Sequence, residues 1–161
     1  MALFPSTSIA SAAGGFDISN SCRFDRASSS KLVSSSTHTS STSWTFSFWV
    51  KRAGGTSGQQ YFIESSGVLQ LIWDSGGELW IDTSAGSNGS KYVGGTSSAT
   101  DMYFRDFSAW YHFVVRSTPS KWYVYVNGVK IEEVTATAVV KNSVEFSLGT
   151  KNAGGDYFDG Y

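Results

Sequence analysis

The sequence predicts an all-β fold, a sandwich of two antiparallel sheets, and three observations predict it. Its apolar runs are built from Val, Ile, Phe, Tyr, Trp and Thr, the residues that suit a pleated, half-buried surface. Apolar and polar positions alternate with period two through WTFSFWVK (44–51), the signature of a strand with one buried face. Gly- and Ser-rich turn signals recur at short spacing, and no stretch carries a 3.6-residue period.

Composition narrows the function classes. The 161 residues fit one domain and suffice for a real core. Twelve basic against 13 acidic side chains give a net charge of -1, which lacks the basic stripe that a sequence-independent nucleic-acid binder needs. No basic amphipathic segment suggests a membrane surface, and no run of about 18 apolar residues spans one. A single cysteine, Cys22, excludes an internal disulfide framework. The opening MALFPSTSIASAAGG has neither a basic start nor a continuous apolar stretch, so it does not read as a secretory signal.

Residues 1–19, with Pro5, Gly14 and Gly15 as breakers, read as an extended arm that only an outside contact would order; the domain is expected over 20–161. A first strand is predicted over Ser21–Asp25, with Cys22 as a small buried hydrophobe, and a second over Lys31–Ser34. His38 falls in a solvated Ser/Thr tract reaching Ser43. Trp44–Lys51 is a central strand with Trp44, Phe46, Phe48 and Val50 on one face and Thr45, Ser47, Trp49 and Lys51 on the other. After a glycine loop comes Tyr61–Glu64; then Val68–Trp73 and Glu78–Asp82 flank a hairpin turn at Asp74-Ser75-Gly76-Gly77. Residues 83–101 read as a long loop containing Tyr92, followed by strands over Met102–Ser108 and Trp110–Arg116. Trp122–Val126 and Val129–Val134 meet at Asn127-Gly128, the strongest two-residue hairpin signal in the chain, and Val144–Gly149 is the last full strand. The expected core takes Phe46, Phe48, Phe113, Val115, Val124, Val126, Phe146 and Leu148, together with Trp44, Trp73, Trp110 and Trp122.

Five segments occur in a set order: WTFSFWVKR (44–52), FRDFSAWYHFVVR (104–116), WYVYVNGVKI (122–131), EFSLGT (145–150) and YFDGY (157–161). Together they resemble the laminin G-like and pentraxin-like branch of the concanavalin A-like lectin/glucanase superfamily. The combination WVKR, SAWYH, YVNG and FDGY is similar to modules in structural and fibre proteins of tailed bacteriophages. The resemblance runs from about Ser21 to the end and implies a jelly roll. Such domains usually continue past an FDGY-like turn into a further apolar strand. With Tyr161 last, the resemblance implies that this closing strand comes from more of the chain or from a neighbour, since an open sheet edge is costly.

The superfamily includes glycanases, so carboxylate pairs were weighed first. Glycoside hydrolysis needs two carboxyls about 5 to 9.5 Å apart. Glu78 and Asp82 share a strand face but stand about 13 Å apart along it, at about 3.3 Å per residue. Glu132 and Glu133 are adjacent and point to opposite faces, and no Ser/His/Asp spacing signature is present, so no catalytic residue is expected. His112 reads as an ordinary strand histidine, and two histidines far from Cys22 offer no zinc set. Related domains often hold calcium with loop acids. Here Asp74, Asp101, Asp106, Asp156 and Asp159 are explained first as turn caps, so no cofactor is expected, calcium being the alternative. Glycan binding needs exposed aromatic faces beside polar groups, and parity or loop position nominates Trp49, Trp80, Tyr92 and Tyr103, with Asp101 beside them. Asn88-Gly89-Ser90 is a glycosylation sequon that, without export, is just a loop.

An extracellular texture without an export signal fits a protein made in the cytosol and released by lysis. The expectation is therefore a non-enzymatic phage virion protein, a fibre or capsid-surface component. Its partners would be other virion subunits, as a homo-oligomer with a trimer favoured, and a host surface glycan. A secreted or cell-surface lectin module is the alternative, and a glycoside hydrolase of the same superfamily comes third.

Overall fold

The computed structural model describes residues 21–34, 41–54, 58–65, 69–82, 90–92, 103–135, 145–151 and 154–161. Among these it contains no helix and ten strands: β1 (Leu32–Val33), β2 (Trp44–Val50), β3 (Gln60–Ser65), β4 (Leu69–Trp73), β5 (Leu79–Asp82), β6 (Ser90–Tyr92), β7 (Tyr111–Ser117), β8 (Trp122–Val126), β9 (Val129–Val134) and β10 (Phe146–Leu148). They form a six-stranded sheet in the order β1-β10-β3-β4-β5-β6 and a four-stranded sheet in the order β2-β7-β8-β9, antiparallel throughout. The predicted two-sheet jelly-roll sandwich is what forms.

Alternation explains which side of each strand is buried. In β2, Trp44, Phe46 and Phe48 pack against the core and Val50 is buried, while Thr45, Ser47 and Trp49 face out. Its register with β7 sets Phe46 against Val115 and Phe48 against Phe113, so both strands present one apolar face. Opposite them, Leu69, Leu71 and Trp73 of β4 and Leu79 and Ile81 of β5 are shut from solvent. Trp73 sits at the centre, stacked on Phe158 and edge-on to Phe104 and Phe113. The Arg52 guanidinium lies 5.3 Å from the centres of both Trp73 and Phe107, held between rings, and its burial lowers its pKa from the ordinary arginine value.

The turns follow their residue types. Asn127 and Gly128 have φ of 49° and 81°, the double positive φ of a type I′ hairpin, which joins β8 to β9. Asp74 Oδ1 accepts from the N–H groups of Gly76 (2.9 Å) and Glu78 (3.0 Å), fixing the β4–β5 turn. The final residues are paired on both sides: Phe24 and Gly160 exchange backbone hydrogen bonds, as do Lys51 and Tyr161.

The structure corrects several expectations. Cys22 is exposed, because only Phe24 of the expected first strand finds a ladder partner. Trp110 is 43% exposed and packs on Tyr161 rather than in the core; the strand starts at Tyr111, whose parity is that of Phe113 and Val115. Leu148 is 37% exposed and Ser147 is buried, although Phe146, on the same side of β10 as Leu148, packs on Phe46 and against the core. Among the described residues of the stretch 102–108, which begin at Tyr103, only Tyr103 is bridged, and Asp106 caps a turn by accepting from the Ser108 N–H at 2.8 Å. The stretch read as a loop over 83–101 contributes β6. The arm at 1–19, His38 and Asp101 lie outside the described residues.

Candidate functional site

Strand β5 organises the site. Leu79 and Ile81 point into the core, so Glu78, Trp80 and Asp82 lie on the opposite face, all half-buried. The β4 register sets Ile72 across from Trp80 and Gln70 across from Asp82; β3 continues these rows with Tyr61 and Glu64. Gln70 Nε2 donates to Glu64 Oε1 at 3.1 Å. On the other side of β5, Tyr92 stands across from Trp80 and Tyr103 bridges Glu78. Tyr103 is 41% exposed, and the Arg105 guanidinium covers its ring at 4.1 Å from the centre. Arg105 is itself tied to the β4–β5 turn by its Nε, which donates to the Gly76 carbonyl.

Three of the five residues expected from the sequence are therefore gathered around β5: Trp80 on it, Tyr92 on the paired β6, and Tyr103 bridged to Glu78. Trp49, 56% exposed, sits on the outer face of the other sheet, and Asp101 is outside the described residues. Gln70 and Glu64 join the site through register, a signal that spacing along the chain does not carry.

Burial raises the Tyr61 phenol above the ordinary tyrosine value, and the charges of Asp156, Glu64 and Asp82 push it further the same way, while the Lys151 ammonium lies 5.6 Å from the centre of its ring. An aromatic ring flanked by carboxylates and a carboxamide offers stacking to a sugar ring and acceptors to its hydroxyls. Among the described residues, no three His, Cys, Asp or Glu side chains converge to hold a metal ion. Asp74 and Asp106 spend a carboxylate oxygen on turn N–H groups, and Asp159 pairs with Arg23 at 2.8 Å.

One carboxylate pair differs from those weighed in the sequence. Glu64 and Asp82 lie on one row with Gln70 between them, two strand spacings apart, about 9.6 Å between backbones. Glu64 is only 3% exposed.

Known structures share this architecture. A heptameric SAP-like pentraxin from Limulus polyphemus is 17% identical with a TM-score of 0.58, over 81% of this chain and 65% of the pentraxin. Domains LG4-5 of the mouse laminin alpha1 chain are 16% identical with a TM-score of 0.55, over 85% of this chain and 38% of that one. The IT-sialidase CBM40 of Ruminococcus gnavus, bound to alpha2,6 sialyllactose, is 9% identical with a TM-score of 0.52, over 73% and 71%. This chain thus spans less than two thirds of the pentraxin and of the laminin fragment. No curated protein sequence matches it. The family model of laminin G type described as the concanavalin A-like lectin/glucanases superfamily matches residues 25–161, and with the two-sheet jelly roll on the same residues the chain belongs to that superfamily.

Proposed function

We propose that the chain is a non-catalytic glycan-binding module of a phage virion, in a fibre or capsid-surface component that attaches to a host surface glycan or takes part in assembly. The observation that supports binding is Trp80, half-buried between Glu78 and Asp82 with Gln70 alongside, an aromatic face set among hydrogen-bonding groups. Recognition of sialyllactose by the Ruminococcus gnavus module supports carbohydrate recognition on this fold. The virion role rests on the ordered resemblance of WVKR, SAWYH, YVNG and FDGY to phage modules. In that setting the partners are other virion subunits, in a homo-oligomer for which a trimer is the favoured order. The arm at 1–19 would lie in those contacts.

A glycan array probed with the protein tests the binding. We expect a defined subset of glycans to be retained, Trp80→Ala to weaken that retention, and chelation by EDTA to leave it intact. An array blank for the wild type would overturn the reading. Mass spectrometry of purified particles tests the virion role: a copy number that is a multiple of three or more per particle supports it. An export signal in the full gene would favour the secreted or cell-surface lectin.

The pair Glu64 and Asp82 favours a second reading, a glycoside hydrolase, because two carboxyl side chains share one row of the sheet with their backbones about 9.6 Å apart, while inverting enzymes hold their carboxyl groups about 6.5 to 9.5 Å apart. Against it, Glu64 is closed to solvent and its Oε1 is engaged by Gln70. Reducing-end release from laminarin, abolished by Glu64→Gln and Asp82→Asn, would establish the hydrolase instead.

A further inference from the structure

The outer face of the four-stranded sheet carries a second constellation remote from β5. Trp49, on β2, is the most exposed aromatic ring among the described residues, at 56%. Its cross-strand neighbour on β7 is His112, and the two rings stack with centres 4.9 Å apart and planes 25° from parallel. Ser47, two residues back on the same face, has its Oγ 3.0 Å from His112 Nε2. The Asn127 carboxamide oxygen accepts from the His112 backbone N–H at 2.9 Å, and the Asn127 N–H donates to the His112 carbonyl at 2.8 Å. The hairpin turn is thereby clamped beside the rings.

Four features make this more than an exposed hydrophobe. The indole is held by a stacked partner, so its rotamer freedom is already lost before any ligand arrives. The imidazole is held in turn by Ser47. The Ser47 hydroxyl, which meets His112 Nε2, is a directional group on the same face, while Asn127 holds the His112 backbone from the β8 side of β7. Half-buried Tyr125 lies one row along the same face, across from Val114, which in turn faces Ser47. A rigid aromatic plane with a hydroxyl on the same face matches one pyranose ring, whose C–H face covers the indole.

We propose that Trp49, His112 and Ser47 form a second, separate pyranose-binding subsite on the face opposite β5. The module would then engage glycan from two sides, and two weak sites on one rigid body raise avidity when both are engaged. His112 is a positioning residue, acting through the orientation of Trp49.

Affinity electrophoresis of the 161-residue chain through gels containing laminarin, mannan, xylan or alginate tests the subsite, against a gel without polysaccharide. On at least one gel, Trp80→Ala should keep part of the wild-type retardation, and Trp49→Ala and the double variant should each move further toward the polysaccharide-free mobility. His112→Ala should weaken retardation several-fold, and His112→Phe, which keeps a flat ring under the indole, should restore most of it. Circular dichroism matching the wild type keeps these comparisons valid. If Trp80→Ala alone abolishes retardation and Trp49→Ala is silent, the second subsite is overturned while the β5 site stands. If no polysaccharide retards the wild type, both fail. Light scattering supplies the remaining arm: a concentration-dependent association lost in Trp49→Ala would overturn the sugar role in favour of a contact between copies.

Discussion

Gly160→Ala is the most decisive perturbation of the fold, because the glycine is wedged between two backbones. A Cβ at Gly160 would lie 2.1 Å from the Lys51 carbonyl oxygen and 2.4 Å from Phe158 Cζ. Neither neighbour can step aside: that carbonyl accepts from the Tyr161 N–H at 2.8 Å, and Phe158 is 2% exposed and stacked on Trp73. The segment must therefore lift away, which threatens four backbone hydrogen bonds, Phe24 with Gly160 in both directions and Lys51 with Tyr161 in both directions. At about 1 kcal/mol net each, the loss is about 4 kcal/mol. For a chain of this size that corresponds to a melting temperature lower by roughly 8 to 16 °C. Gly128→Ala is the matched control. Gly128 has φ of 81° but nothing within 4 Å of its would-be Cβ, so only left-handed strain applies, about 1 kcal/mol. Urea midpoints at unchanged m-value, read by tryptophan fluorescence, compare the two. If Gly160→Ala lost no more than Gly128→Ala, the tight clasp between Phe24 and Lys51 would be wrong.

Four further outcomes are expected. Trp122→Ala, removing a side chain with no exposure, should cost about 3–5 kcal/mol, whereas Trp110→Ala should cost about 1 kcal/mol because its ring is 43% exposed; equal urea midpoints would refute the assignment of faces. Glu133 accepts hydrogen bonds from Lys121 first and from Lys130, which hold its carboxyl at about 2 rather than its ordinary 4.5. A folded-state value below the unfolded one stabilises above about pH 4.5 and is lost as pH falls towards 2, so Glu133→Gln should flatten that part of the urea-midpoint profile in low salt, with the difference fading in high salt. Incubation with laminarin or agarose should release no reducing ends above a Glu78→Gln control; turnover abolished by that substitution would reverse the non-catalytic reading. Arg105→Ala removes the cation over Tyr103 and should weaken retention on the glycan array several-fold, without a change in melting temperature above about 2 °C.

How far the sequence could be read depended on whether a feature is local. The period-two pattern of β2 and the Asn127-Gly128 turn are local, and both appear where the chain alone places them. Trp110 was readable in principle: Tyr111, Phe113 and Val115 share one parity, and Trp110 falls on the other with His112 and Val114. Side-chain size argued for the core and parity argued against it; parity won, since a strand cannot turn one ring through its own plane. Leu148 shows the opposite failure: it shares a side of β10 with Phe146, which packs on Phe46, yet it is itself 37% exposed, because parity names a side of the strand and not how far along it the cover extends. β6 has three residues, Ser, Lys and Tyr, with no pattern of their own, so only its pairing with β5 makes it a strand. The same distinction governs the sites. Trp49 and Trp80 both read as outward-facing, yet parity names a side of a strand and does not say which sheet the strand joins. That choice is made by register over long separations, which draws Glu64 and Gln70 to Trp80 and sends Trp49 to His112 on the opposite surface. The aromatic candidates named from the sequence therefore fall on two surfaces of the folded chain, and each surface has to be tested with its own substitution.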